Sequence, residues 1–155
     1  MATTDESGGA RDPYDLIRFV RAQEDDYEGA LSEIRSGRKR SHWMWYIFPQ
    51  FDGLGSSSIS RQYSIKSLAE AEAYLGHPVL GPRLRECAGS TLSVEGRSAS
   101  EIFGSPDEMK LKSCATLFAC ASPSESVFDA LLDKYFGGER DGKTLRLLGI
   151  AAEGK

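Results

Sequence analysis

A cationic entrance to an aromatic segment is the part of this sequence best suited to binding chemistry: GRKRSHWMWYIFPQ, residues 37–50. Ser41 is a candidate N-cap, so the free amides of a helix beginning there would point back toward Arg38 and Lys39. A helix N-terminus beside cationic side chains suits a phosphate or a similar anion. The alternative interpretation is that the cations only stabilise the carbonyl end of the preceding helix.

The aromatic half of this segment can be interpreted as core or as a ligand-facing wall. A helix over residues 41–48 would be apolar on every side and would therefore have to be buried. The same residues have the composition of a strand, but the rest of the chain offers no partner strand. In the functional interpretation, Trp43 or Trp45 stacks a base or another flat ring beside the cations.

A Gly/Ser-rich loop, PQFDGLGSSS at residues 49–58, follows the aromatic segment. An irregular stretch of this length in a helical domain is more often functional than a simple connection. We expect the loop and the cationic entrance to meet in one pocket, to which the next helix also contributes. The ligand-binding candidates are Arg38, Lys39, His42, Trp43, Gln50, Ser56, Arg61 and Tyr63.

General acid–base chemistry in such a pocket would fall to His42 or Asp52. No nucleophile-elbow, phosphate-loop or dinucleotide motif is present, so whether the chain is an enzyme stays open. The other histidine, His77, precedes a proline and is most simply a helix cap. Two histidines and scattered cysteines give no metal-ligand spacing, and we therefore expect no metal and no cofactor.

A second group of charges, DEMKLKS at residues 107–113, has simpler explanations. Asp107 and Glu108 are favourable at a helix start because of the helix dipole. Lys110 and Lys112 then form a solvated face or pair with those carboxylates. A second cationic wall for the pocket is the less favoured interpretation.

Composition limits the class of protein. A length of 155 residues fits one domain, and a net charge of -4 argues against general nucleic-acid binding. No apolar run is long enough to span a membrane, and we expect no secretory leader. The three cysteines, Cys87, Cys114 and Cys120, contain no CxxC pair and are expected to be free thiols in a reducing cytoplasm. Oligomeric state is not readable from these features.

Helix start signals recur along the chain. Asp12-Pro13 is typical of a first helical turn, and four Ser-x-x-Glu stretches match the capping box, starting at Ser67, Ser98, Ser105 and Ser122. With 3- and 4-residue apolar spacing, they predict an all-α, compact multihelical single domain over residues 12–150. Residues 1–11 are expected to be a disordered tail and 151–155 a frayed end. The predicted elements are about eight helices, near 13–22, 24–36, 41–48, 58–64, 67–76, 78–94, 106–121 and 123–136, with short turns at 99–103 and 141–149.

Several linked motifs together resemble domain of unknown function family 1810, some of whose members carry the label calpastatin. They are GRKRSHWMWYIFPQ, GLGSSSISRQYSI, AYLGHPVLGPRLREC, EIFGSPDEMKLKSCATLF and LLDKYFGG, spread over about residues 14–148. The resemblance implies a small, multihelical, single-domain protein and no established activity. A calpain inhibitor is disordered and poor in aromatics, whereas 10% aromatics and a core pattern predict independent folding here. Cys114 and Ala115 depart from the Ser and Met expected of the family, at positions interpreted as helix packing.

Three functions are compatible with these features. The favoured one is a pocket for a small anionic molecule, phosphate- or nucleotide-like. The second is a hydrolase or N-glycosidase acting on a nucleotide- or ADP-ribose-like substrate, a comparison of type with other small helical families. The third is a protein-interaction module that uses Trp43, Trp45 and Phe51 as anchors.

Overall fold

The computed structural model describes residues 12–150, and this range folds as one compact domain of ten helices without a β-strand. The all-α prediction is confirmed, although ten helices are present instead of about eight. The predicted tail at 1–11 and frayed end at 151–155 lie outside the described residues. The helices are α1 (Ile17–Gln23), α2 (Tyr27–Arg35), α3 (Met44–Ile47), α4 (Ser58–Gln62), α5 (Leu68–Gly76), α6 (Leu80–Leu92), α7 (Ala99–Phe103), α8 (Asp107–Cys120), α9 (Val127–Phe136) and α10 (Gly142–Leu148).

The core is built around α8, which packs against α5, α7, α9 and α10. Its second half is buried on every side, and small residues there let the neighbouring helices approach. Cys114 and Ala115 are each 1% exposed, which confirms that they are packing positions. Phe118 contacts the rings of Tyr74 and Phe128, and so joins α5 and α9 across the core. No helix among residues 12–150 is long and apolar enough to cross a membrane.

Two of the four predicted capping signals mark helix starts. Ser98 and Glu101 form the complete reciprocal box that begins α7. Ser67 caps α5 by accepting from the Glu70 amide. The Glu70 carboxylate instead accepts from the Lys66 amide, one residue earlier than the capping box requires. These short polar motifs therefore fix two helix starts without help from the core.

The helices predicted near 106–121 and 123–136 are present, but the predictions that Ser105 and Ser122 cap them are wrong. Helix α8 begins two residues after Ser105, at Asp107. Helix α9 begins at Val127, where a box between Ser126 and Asp129 supplies the cap. The aspartate at the third position does the work expected of a glutamate, so a motif restricted to Glu misses it.

The first helix also begins later than predicted. The Asp12 carboxylate accepts from the amides of Leu16 and Ile17, at 2.7 and 2.9 Å. It therefore satisfies the free N–H groups of α1 from four and five residues away. The chain between 13 and 16 forms a turn, with Asp15 at a φ of 55°.

The predicted helix over 41–48 is reduced to the four residues of α3. Ser41 does not cap it, because the Ser41 amide and hydroxyl both donate to Glu33 in α2. The burial expected of the aromatic segment is confirmed for Trp43, Met44, Ile47 and Phe48, all at most 2% exposed. Trp45 and Tyr46 are only half-buried.

The loop after α3 is held in place by a short backbone bridge. Phe51 pairs in parallel with Ile65 in an isolated β-bridge. The Asp52 amide donates to the Ile65 carbonyl at 2.8 Å, and the Ile65 amide donates to the Gln50 carbonyl at 2.9 Å. This bridge fixes both ends of the segment that runs from 52 to 65 and contains α4.

Candidate functional site

The cationic entrance already holds an anion, and that anion is the side chain of Glu33. One carboxylate oxygen accepts from the amides of Arg40 and Ser41 and from the Trp43 indole N–H, at 2.8, 3.0 and 2.9 Å. The other oxygen accepts from the Ser41 hydroxyl at 2.6 Å. The amides of Arg40 and Ser41, at the point where the sequence suggested an external phosphate, are therefore engaged by the protein itself.

The charge of this carboxylate follows from these contacts. Burial raises the pKa of Glu33, but the hydrogen bonds from Ser41, Arg40 and Trp43 outweigh it and lower the pKa to about 2. Glu33 is therefore ionised at neutral pH. It fastens the segment at 40–43 to the end of α2.

The side chains at this entrance are distributed away from any common pocket. Arg38 and His42 are exposed, and neither lines a cleft. Trp43 is 2% exposed and packs edge-on against Phe103. It therefore cannot serve as a ligand wall or as an anchor for a partner. The Lys39 ammonium pairs with Asp107 at 2.9 Å, and its side chain is only 8% exposed.

An open cleft of about 420 Å³ lies on the other side of α3, between the loop that precedes α4 and the first two turns of α8. Its walls combine serine hydroxyls, one half-buried indole, one ammonium group and a few apolar side chains. The lining residues are Trp45, Gln50, Leu54, Gly55, Ser56, Ser57, Ser60, Pro106, Met109, Lys110 and Ser113.

Lys110 and Trp45 form the α8 side of this cleft. The Lys110 ammonium stands over the Trp45 indole, 4.7 Å from the ring centroid, and pairs with Asp107 at 3.2 Å. The predicted pairing of Lys110 with Asp107 is therefore present, and it places the lysine in a cleft wall. An ammonium group beside an aromatic face can contact both parts of a ligand that carries a charge and a flat ring.

The opposite side is a tightly folded loop. A Cβ on Gly55 would lie 2.6 Å from the Ser60 hydroxyl oxygen, so no larger residue fits there without moving α4. The Ser57 hydroxyl accepts from the Ser60 amide, which leaves its own hydrogen free to donate. The Arg61 guanidinium donates to the Ser56 carbonyl and fixes the loop from outside.

A smaller chamber opens from the floor of the cleft. It has about 10 Å³ of room, roughly one water molecule, and shares Trp45, Gln50 and Ser60 with the cleft. The Asp52 carboxylate lies in its wall and accepts from the Ser64 hydroxyl at 2.9 Å. The Lys66 ammonium lies 2.9 Å from the same hydroxyl.

The chamber also receives Tyr63, whose ring packs against Tyr46 and Phe19. Arg61 lines a different groove, of about 520 Å³, on the far side of α4. The three cations that line that groove are already hydrogen-bonded within the protein. Arg18 donates to backbone carbonyls and to the Glu70 carboxylate, Lys66 donates to the Arg61 carbonyl and the Ser64 hydroxyl, and Arg61 donates to the Ser56 carbonyl. We therefore take the cleft and its chamber as the candidate site.

The structure brings together only part of the predicted site. Gln50 and Ser56 line the cleft, while Asp52 and Tyr63 line the chamber. Arg38, Lys39, His42, Trp43 and Arg61 line neither of them. Of the other lining residues, Ser60 was missed, Ser57 was covered only by the predicted loop at 49–58, and Lys110 was considered as a second cationic wall but not favoured. Trp45 was named as an alternative to Trp43 for stacking and, with Trp43 and Phe51, as a partner anchor, and nothing local distinguishes the two tryptophans.

Residues 12–150 contain no group of three or more His, Cys, Asp or Glu side chains that could hold a metal ion. The thiols of Cys87 and Cys114 are buried and free, and burial raises the pKa of each. Buried, protonated thiols of this kind are packing groups.

The fold and the cleft define a small all-helical protein with a polar and aromatic cleft between a Gly/Ser loop and its central helix. The chain belongs to the family described as protein of unknown function (DUF1810), whose model matches residues 13–148. The conserved hypothetical protein Rv1873 from Mycobacterium tuberculosis has the same fold. It is 54% identical, with a TM-score of 0.88 over 90% of this chain and 100% of that one. No curated protein is significantly similar to the chain.

Proposed function

We propose that this protein binds a small anionic molecule, phosphate- or nucleotide-like, in the cleft between α8 and the segment at 54–60, which includes the start of α4. The observation that carries the proposal is the position of the Lys110 ammonium over the half-buried Trp45 indole at the cleft wall. A flat ring of the ligand would pack against the part of the Trp45 indole that Lys110 leaves uncovered, and its anionic group would pair with Lys110.

The rest of the cleft supports this assignment. Its volume of about 420 Å³ falls within the range of small-molecule sites. Ser56 and Ser57 line the same cleft as the lysine, and a serine hydroxyl can donate to a phosphate oxygen. Leu54 and Met109 add apolar surface for the ring.

Binding of AMP and of inorganic pyrophosphate, measured by titration calorimetry, tests the proposal. We expect saturable binding that is weakened at least tenfold in Lys110→Met, with melting temperature little changed. Lys143→Met is the matched control, because Lys143 lies in α10 outside the cleft lining. Absence of binding by both ligands, or equal binding by the Lys110 and Lys143 variants, would reject the proposal.

Hydrolysis of such a ligand is a second candidate function, and the water-sized chamber beside Asp52 favours it. A water in that chamber would lie against a carboxylate that can take its proton as the water oxygen attacks the substrate. For an N-glycosidic bond, the water oxygen would bond to the sugar carbon as the bond to the leaving nitrogen breaks, and that nitrogen would take up a proton that balances the one Asp52 removes from the water. His42 is outside the cleft and is not assigned a role.

Product formation from ADP-ribose, NAD or AMP, followed by chromatography, tests this second function. We expect Asp52→Asn to abolish turnover while AMP binding is kept, and His42→Ala to leave both unchanged. Turnover that survives in Asp52→Asn and disappears in His42→Ala would reverse the assignment.

We further infer that the protein works in a reducing compartment, in line with the cytoplasmic location expected from the sequence. The support is that all three cysteines are unpaired, with Cys87 and Cys114 deep in the core.

A further inference from the structure

Asp107, at the start of α8, lies between two ammonium groups. One of its carboxylate oxygens is 2.9 Å from the Lys39 nitrogen, and the other is 3.2 Å from the Lys110 nitrogen. Two positive charges and one negative charge are therefore in direct contact, which leaves one net positive charge.

The two lysines are in different surroundings. The side chain of Lys39 is 8% exposed, its ammonium also donates to the Ser41 carbonyl at 2.6 Å, and it stands over Trp43. It is fixed behind the cleft wall. Lys110 is more accessible, with 24% of its side chain exposed, and it lines the cleft.

We propose that Lys39 is a positioning residue for the cleft: it compensates the charge of Asp107, so that Lys110 keeps an uncompensated charge for the ligand. The inference rests on the proposed function, because it names the group that sets the affinity of the same site. Without Lys39, Asp107 and Lys110 would form a neutral pair, and an incoming anion would have to compete with Asp107 for the lysine.

The carboxylate also fixes where Lys110 stands. Asp107 and Lys110 are one helical turn apart, so their pairing directs the ammonium along the α8 surface toward Trp45. Lys39 holds the opposite oxygen and thereby orients the whole carboxylate. A buried lysine behind the cleft wall thus determines both the charge and the placement of the cation that meets the ligand.

A double-mutant cycle on affinity for inorganic pyrophosphate tests this coupling. Lys39→Met is expected to weaken binding about tenfold, which corresponds to about 1.4 kcal/mol. Asp107→Asn is expected to bind at least as tightly as the wild type, since it removes the competing anion. The double variant Lys39→Met/Asp107→Asn has the same net charge as the wild type, so its affinity should return to within about threefold of it.

A purely structural role for Lys39 predicts the opposite pattern. If Lys39→Met and Asp107→Asn weakened binding only by disturbing the packing behind the cleft, their losses of binding free energy would add. The double variant would then bind more weakly than either single variant. Lys39→Arg keeps the charge and should keep the affinity. Loss of binding in Lys39→Arg equal to that in Lys39→Met would overturn the proposal.

A readout that needs no ligand separates this inference from the proposed function. The NMR resonance of the Lys110 ammonium should move in Lys39→Met and in Asp107→Asn, because each change removes a charge next to Lys110 or its partner, and should keep its position in Lys39→Arg. An unchanged Lys110 resonance in Lys39→Met overturns the coupling, whatever the binding data show. Shifted resonances with no pyrophosphate or AMP binding by any variant support the coupling and reject the binding function.

Discussion

Two lysine–tryptophan pairs lie at α3, Lys39 with Trp43 and Lys110 with Trp45, and only the second pair faces the solvent. Lys39 stands 5.0 Å from the Trp43 ring centroid and Lys110 stands 4.7 Å from that of Trp45, and both lysines share Asp107. The first pair is closed, because Glu33 takes the Trp43 indole N–H and the adjacent amides. The second is open to a cleft. The same pair of residue types therefore serves as scaffold in one place and as a candidate ligand wall in the other.

The largest expected difference between the pairs is in stability. Trp43→Ala should cost about 3–5 kcal/mol of unfolding free energy, because a fully buried indole leaves a cavity beside Phe48 and Phe103. Trp45→Ala should cost about 1 kcal/mol, since its ring already faces solvent in the cleft. Urea denaturation of the two variants measures this. Equal losses would show that the two pairs do not differ as described.

Removing the internal anion should give the next largest effect. Glu33→Gln is expected to cost about 1–3 kcal/mol, because a neutral amide replaces a carboxylate that accepts four hydrogen bonds. Glu72→Gln, on the exposed face of α5, is the matched control and should change stability by less than about 0.5 kcal/mol. If the two variants unfold alike, Glu33 is not the group that closes the entrance.

The same carboxylate gives a pH dependence of stability. The pKa of Glu33 is lowered from 4.5 to about 2 by its hydrogen bonds, against the opposing effect of burial. A lowered folded pKa means that its stabilisation is complete above about pH 4.5 and is lost as the pH falls toward 2. Urea midpoints at pH 6 and pH 3 should therefore differ less in Glu33→Gln than in the wild type. A parallel loss in both proteins would assign the acid sensitivity elsewhere.

The fold was largely predictable because its signals are local. Burial of the aromatic segment and the serine caps at 67 and 98 follow from residue type and spacing alone. The start of α9 was missed because Asp129 does there what was expected of a Glu at 125. Helix α3 came out short for another reason: Glu33, eight residues before Ser41, takes the groups that would have capped it.

The site was less predictable because its two sides are distant in sequence. The segment at 54–60 and Lys110 line the same cleft because of how α8 packs in the core. No local pattern near Lys110 predicts that they lie close together. The cationic string at 38–40 gave the stronger local signal. The Arg40 amide and the Lys39 ammonium of that string are engaged by Glu33 and Asp107, which lie outside the string itself.

The smallest expected effect is at Arg38, the most prominent cation of that string. It is exposed and lines neither the cleft nor the chamber. Arg38→Ala should leave the melting temperature within about 1 °C and the AMP affinity unchanged, in contrast to Lys110→Met. Loss of AMP binding in Arg38→Ala, with binding retained in Lys110→Met, would move the ligand back to the entrance.

The most direct test of the open and closed pairs is fluorine NMR of protein labelled with 5-fluorotryptophan, which has only two indole positions. Trp43→Phe assigns the two resonances. During titration with AMP, the Trp45 resonance should shift saturably and the Trp43 resonance should stay in place, and the shift should disappear in Lys110→Met. A ligand-dependent shift of Trp43 alone, or no shift of Trp45 at saturating AMP, would contradict the assignment of the cleft as the ligand site.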